Sequence, residues 1–148
     1  MRQITETLWI GNAFEASDFK AVMALQVGAI VDLAMDEPPI APPREIVYCR
    51  IPLLDGTENP ASRLLLAIDV ACKLLASKTP TLICCSAGMS RSPAIAAAAL
   101  ACTSGQSFHD SLTIVSKAGA CDISPGLVVE LELAIANRTG EDGLQSEQ

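Results

Sequence analysis

The sequence predicts an α/β fold: a mostly parallel central sheet of about four to five strands with helices on both faces. Three observations carry this expectation. Short runs rich in β-branched and aliphatic residues alternate along the chain with longer stretches whose apolar residues recur at helical spacing. The runs at residues 29–34 and 81–84 are apolar almost throughout, as strands buried on both faces are. The second of them leads through a loop of small residues straight into an Ala-rich helical pattern.

Taken in order, residues 4–11 (with Leu8, Trp9 and Ile10) read as a first strand closed by a Gly11-Asn12 turn. Ala16-Ser17-Asp18 offers N-cap chemistry to a helix carrying Phe19, Val22, Met23 and Leu25, with Gly28 as its C-terminal cap. Residues 29–34 follow as a compact buried strand. The segment 36–43 holds Pro38, Pro39, Pro42 and Pro43 and is expected as a surface loop. A third strand over 45–51, with Ile46, Val47 and Tyr48, stops at Pro52 and enters a polar loop over 53–60. A helix over 61–77 places Leu64, Leu65, Ile68, Ala71, Cys72 and Leu75 on one wide apolar stripe.

The fourth strand is 81–84. The helix after the loop, about 93–102, is apolar all round and is expected to be buried against the sheet. Residues 107–117 and 125–137 read as two more helices, with Phe108, Leu112 and Val115 on one face of the first and Leu127, Leu131 and Ile135 on one face of the second. Pro125 suits the first turn of the latter, behind Ser124 as a cap. One domain over residues 1–138 then leaves 139–148 as a polar, frayed tail.

The chain has 148 residues, long enough to bury a core, and with 50% hydrophobic but only 3% aromatic residues that core is built from Ala, Leu, Ile and Val. A net charge of −7 and the lack of any basic run argue against nucleic acid as a partner. Of the six cysteines, Cys72 and Cys102 fall in helical patterns and Cys84 ends a buried strand, which is not the pattern of a disulfide framework. With no Cys-x-x-Cys pair and His109 as the single histidine, there is no zinc signature, and no cofactor or metal is expected. The N-terminal residues form no signal core and no apolar run is long enough to span a bilayer, so a soluble, cytoplasmic protein without a membrane partner is expected. The sequence carries no signal of an oligomeric state.

The chemistry concentrates in Thr81-Leu-Ile-Cys-Cys-Ser-Ala-Gly-Met-Ser-Arg-Ser-Pro93. Cys-x5-Arg is a weak pattern alone, but here Cys85 stands at the carboxyl end of a buried strand, where open α/β sheets place their ligands. Ser86, Ala87, Gly88, Met89 and Ser90 form the turn, and small residues there let successive backbone N–H groups converge on one phosphate-sized nest. The helix that follows adds its positive end to the same point. Backbone donors, helix terminus and Arg91 together favour a thiolate nucleophile at Cys85. Arg91 supplies a planar fork that can hold two oxygens of a phosphoryl group. Ser92 either caps the helix or donates to the sulfur when it becomes a leaving group. A leaving alkoxide or phenolate also needs an acid, for which Asp55 beside Gly56 is the best placed, with Glu58, Asp36 and Glu37 on comparable loops.

The stretch Cys85-Ser-Ala-Gly-Met-Ser-Arg-Ser92 resembles the signature loop of the dual-specificity branch of cysteine-dependent protein phosphatases, His-Cys-x-x-Gly-x-x-Arg-Ser. The likeness extends to Leu8-Trp-Ile-Gly-Asn-Ala13, Ala16-Ser-Asp18, Ala29-Ile-Val-Asp-Leu33, Ile51-Pro-Leu-Leu-Asp55 and Ser124-Pro125, nearly the whole chain. It implies a compact protein-tyrosine-phosphatase-like fold, a cysteinyl-phosphate intermediate on Cys85, Asp55 as general acid, and phosphotyrosine and phosphoserine or phosphothreonine proteins as substrates. One position departs: Cys84 stands where the family carries histidine, which puts the ordering of the loop and the reactivity of Cys85 in question. Two other readings use the same loop: a phosphatase-like module that binds phosphorylated partners without turnover, and a rhodanese-like thiol enzyme. The loop length and the serine after Arg91 favour phosphate over the latter.

Overall fold

The computed structural model describes residues 1–145, with side chains through residue 140. Five strands form one mixed sheet in the order β1-β2-β5-β3-β4: β1 (Arg2–Thr5), β2 (Leu8–Asn12), β3 (Ala29–Ala34), β4 (Val47–Leu53) and β5 (Thr81–Cys85). Only β1 runs antiparallel, paired with β2, while β2, β5, β3 and β4 are parallel throughout. The expected α/β class and mostly parallel sheet therefore hold. β5 lies at the centre between β2 and β3, and all five of its residues are buried.

Strand alternation divides the core into two layers. Ile10, Val31, Ile83 and Cys85 face the larger cluster with α3 (Ala61–Ala76), α4 (Arg91–Ser104), α5 (Phe108–Lys117) and α6 (Pro125–Gln145). Trp9, Ile30, Leu82 and Cys84 face the smaller one, which α1 (Ala13–Ser17) and α2 (Phe19–Ala24) cover through Ala16 and Val22. Helix α4 is the buried centre of the larger layer: residues 91–100 are all buried, as an alanine helix without a polar face requires.

Several boundaries differ from expectation, each for a local reason. The single first strand is a hairpin, broken at Glu6-Thr7, where the Thr7 N–H turns back to Thr5 Oγ1 at 3.4 Å. Asn12 does not end in a turn; it caps α1 in a reciprocal box with Glu15, its Oδ1 accepting from Glu15 N at 2.7 Å. Asp18 caps α2 as expected, accepting from Ala21 N at 3.2 Å. That helix closes on Gln26 (φ 58°) and not on Gly28.

β4 runs through Pro52 to Leu53, which is tolerated because β4 is an edge strand whose outer N–H groups need no sheet partner. α4 begins at Arg91, two residues earlier than expected; Pro93 falls in its first turn, where a missing N–H costs nothing. α6 continues to Gln145, past the expected end at Asn137, so the stretch expected as a frayed tail is helical that far and its last residues lie outside the described ones. No helix among the described residues is long and apolar enough to cross a membrane.

Candidate active site

Cys85 is the last residue of β5 and Arg91 the first of α4, so the five residues between them bridge a strand end and a helix start. The turn is possible because of Gly88. Its φ is +72°, and a Cβ there would lie 2.8 Å from the carbonyl carbon and 2.9 Å from the oxygen of Gly11. The loop is thus pressed against the end of β2, backbone to backbone. Three of its carbonyls are held from outside: Ser86 O by Ala13 N at 3.4 Å, Met89 O by Asp122 N at 2.8 Å, and Gly88 O by Arg2 Nη2 at 2.6 Å.

Cys85 Sγ is buried and makes three polar contacts. Gly88 N approaches at 3.2 Å, Ser92 N at 3.4 Å and Ser92 Oγ at 3.2 Å. The two backbone N–H groups donate to the sulfur, and in the contact with the Ser92 hydroxyl either atom can donate. Ser92 is fully buried and its hydroxyl is spent on the sulfur; the residue preceding α4 is Ser90, whose side chain makes no capping bond. Arg91 is only 5% exposed, and its Nη1 donates to Leu53 O at 2.9 Å, at the end of β4. Its Nε has no protein partner among the described residues, an orphaned donor of a kind that native interiors rarely leave without a ligand.

Asp55 lies opposite. A cavity of about 260 Å³ is lined by Cys85, Arg91, Asp55, Ser90, Met89 and Asp122, with Ala87 at its edge. Ser90 Oγ donates to Asp55 Oδ1 at 2.6 Å and accepts from Ser124 N at 2.9 Å, tying the loop that carries Asp55 to the loop from Cys85 to Arg91. Asn59 fixes the other side of the Asp55 loop: its Oδ1 accepts from Leu54 N at 2.7 Å and its Nδ2 donates to Leu54 O at 3.0 Å and Gly56 O at 3.4 Å. Of the other carboxylates considered, Glu37 lines a separate groove of about 430 Å³ with Phe14, Pro38, Pro39, Ile40 and Ser86, and the Glu58 N–H is engaged by Glu130.

Cys84, one residue before Cys85, points through the opposite face of the sheet. Its Sγ lies 3.8 Å from Asp32 Oδ1, and burial, reinforced by the Asp32 carboxylate, pushes its pKa well above the ordinary thiol value. Asp32 in turn accepts from Tyr48 OH at 2.6 Å and from Ala34 N at 3.0 Å. Burial and the bond to Asp32 push the Tyr48 pKa up to about 12.

The structure thus brings Cys85, Arg91 and Asp55 to one cavity with Ala87, Met89 and Ser90, and sets Ser92 against the Cys85 sulfur; Ser86 lines the separate groove and Gly88 a neighbouring depression. Three neighbours were missed in the sequence: Asp122 in the cavity, Asn59 behind Asp55, and Arg2 behind Gly88. Asp122 is the one charged residue in a short stretch of mostly small and apolar residues between two helices, which is a weak signal; Arg2 carries none.

Compared by sequence, the chain matches no family model and none of the curated proteins. Compared by structure, it is similar to human DUSP28, with TM-score 0.81, 21% identity and full coverage of both chains. It is similar to a mouse putative dual specificity phosphatase complexed with zinc tungstate, with TM-score 0.83, 20% identity, and 95% of this chain and 89% of that one covered. A third, the human tyrosine phosphatase-like serine/threonine/tyrosine-interacting protein, aligns with TM-score 0.79 and 20% identity over 94% of this chain and 97% of that one. What these likenesses share is an architecture, and the chain has the dual-specificity phosphatase fold.

Proposed function

We propose that this protein is a phosphomonoester hydrolase working through a cysteinyl-phosphate intermediate, with phosphotyrosine and phosphoserine or phosphothreonine proteins as its substrates. The observation that carries the reading is Cys85 Sγ, which accepts from two backbone N–H groups and meets the Ser92 hydroxyl, in a cavity that also contains a buried arginine whose Nε has no partner among the described residues. Cys85 sulfur attacks phosphorus while Arg91 and the loop amides hold the non-bridging oxygens. The P–O ester bond breaks and Asp55 delivers its proton to the departing oxygen. Water then attacks phosphorus, Asp55 accepts its proton, and the S–P bond breaks with the Ser92 hydroxyl donating to the returning thiolate. No metal or cofactor enters either step. Ser86, Ala87, Met89 and Ser90 bring no lysine to the rim, which favours a single phosphate over a polyphosphorylated head group.

Burst and steady-state kinetics on aryl phosphates test this. Wild type turns over, Cys85→Ser does not, and Asp55→Asn loses about 100-fold with a poor leaving group but much less with a good one. An Asp55→Asn protein as fast as wild type on the poor leaving group would sink the acid assignment. Cys84→His reports whether the position beside Asp32 governs the rate and its pH profile.

A second reading, a phosphoprotein-binding module without turnover, is favoured by Cys84 and by the shared fold of a tyrosine phosphatase-like interacting protein. Phosphopeptide binding by a wild-type protein that hydrolyses nothing would select it.

A further inference from the structure

A phosphate nest depends on which way each peptide plane faces. In a trans peptide the C=O of one residue and the N–H of the next point in opposite directions, and no cis peptide occurs among the described residues. A carbonyl held on the outside of the loop therefore turns the following N–H inward. The Ser86 carbonyl is held by Ala13 N, which aims the Ala87 N–H at the cavity; the Met89 carbonyl is held by Asp122 N, which aims the Ser90 N–H there. Both of these anchors are backbone groups supplied by the fold.

The plane between them, Gly88–Met89, is different. Its carbonyl is held by a side chain, Arg2 Nη2, reaching from β1 at 2.6 Å. The plane needs holding more than the others do, because Gly88 has no Cβ to restrict it. The other end of the same guanidinium, Nη1, donates to Ala120 O, in the segment that supplies Asp122 N and Ser124 N to the loop. That segment is shaped around Arg2: a Cβ on Gly119 would lie 2.3 Å from Arg2 Cδ and 2.8 Å from Nη1.

We infer that Arg2 is a positioning residue for the oxyanion site: by fixing the Gly88 carbonyl outward it presents the Met89 N–H to the phosphoryl oxygens. The inference rests on the proposed use of the loop as a phosphate cradle. Without Arg2 the Gly88–Met89 plane is free to rotate, and a rotated plane turns a carbonyl oxygen toward the anion in place of a donor. The charged guanidinium also acts through the peptide, since a carbonyl polarised by a cation makes the following N–H a stronger donor.

The test uses the intact chain, with tungstate as the oxyanion probe and an aryl phosphate as substrate, each with a thermal melt. Loss of a charge-assisted anchor predicts that Arg2→Ala weakens tungstate binding about tenfold and lowers kcat/KM by a similar factor. Arg2→Lys, which keeps the charge but not the fork, is intermediate. Gly119→Ala leaves Arg2 in the sequence while displacing its side chain, and weakens tungstate comparably.

A purely structural tether predicts another pattern: a lower melting temperature with wild-type tungstate affinity in the folded protein. That pattern, or unchanged affinity in Gly119→Ala, overturns the inference. So does a wild-type protein that binds no tungstate. A wild type that binds tungstate but hydrolyses no aryl phosphate removes the catalytic reading alone, and the affinity ratio still decides the role of Arg2.

Discussion

Replacing Gly88 by alanine is the sharpest test of how tightly the phosphate loop is built. The added Cβ would sit 2.8, 2.9 and 3.0 Å from three backbone atoms of Gly11 and Asn12, where ordinary contact begins near 3.4 Å. No rotamer relieves such an overlap, so the loop must retreat from β2 by roughly 0.6 Å. A left-handed φ costs an alanine about 1–2 kcal/mol, and the forced shift about 1–3 kcal/mol more. Together they amount to roughly 2–5 kcal/mol, or a melting temperature lower by about 5–15 °C in a chain of this size. The same shift pulls the Gly88 N–H away from the Cys85 sulfur, now 3.2 Å distant, and opens the nest. Turnover of an aryl phosphate is therefore expected to fall at least about 100-fold at temperatures where the variant is folded. A Gly88→Ala protein with the melting temperature and kcat/KM of wild type would refute the backbone-contact reasoning.

Three further outcomes follow from the hydrogen bonds around the site. Asn59→Ala frees the Asp55 loop from its staple, so kcat on a poor leaving group falls about five- to tenfold while a good leaving group is nearly unaffected; equal losses on both would contradict the loop's role in placing the acid. Ser92→Ala removes the hydroxyl from the sulfur and slows the second step about tenfold, seen as a burst of released aryl alcohol before a slower steady state. Tyr48, with its pKa pushed up to about 12, favours folding in its neutral form. That stabilisation is complete below about pH 10 and is lost as the pH rises toward 12, so the denaturation midpoints of wild type and Tyr48→Phe differ at pH 9 and converge by pH 12. A gap unchanged from pH 9 to 12 would contradict the bond to Asp32.

The loop from Cys85 to Arg91 was legible because its features are local: an apolar run, small residues and an alanine helix follow one another within twenty positions. Asn12 and Glu15 also spell a capping box, but Gly11-Asn12 reads equally well as a turn, and the competition is settled by the sheet that positions β2. Pro52 was misjudged because its tolerance depends on β4 lying at an edge, a property of strand order and not of neighbours along the chain. Gln26 takes the left-handed position that a nearby glycine advertised more loudly. Arg2 was illegible for the strongest reason: its partner Gly88 lies 86 residues away, and only the closed fold brings them together.

One contact made by Arg91 bears on how the site handles a substrate. Its Nη1 grips Leu53 O, two residues before Asp55, while Ser90, just before it, grips the Asp55 carboxylate itself. The loop from Cys85 to Arg91 and the loop that carries Asp55 are thereby joined at two points. Under the proposed chemistry, loops already joined in this way need no closing stroke to bring Asp55 to the cavity of Cys85. On the same proposal, a phosphorylated side chain would enter a cavity of about 260 Å³ between those loops, and whatever carries the phosphate would approach with that group projecting.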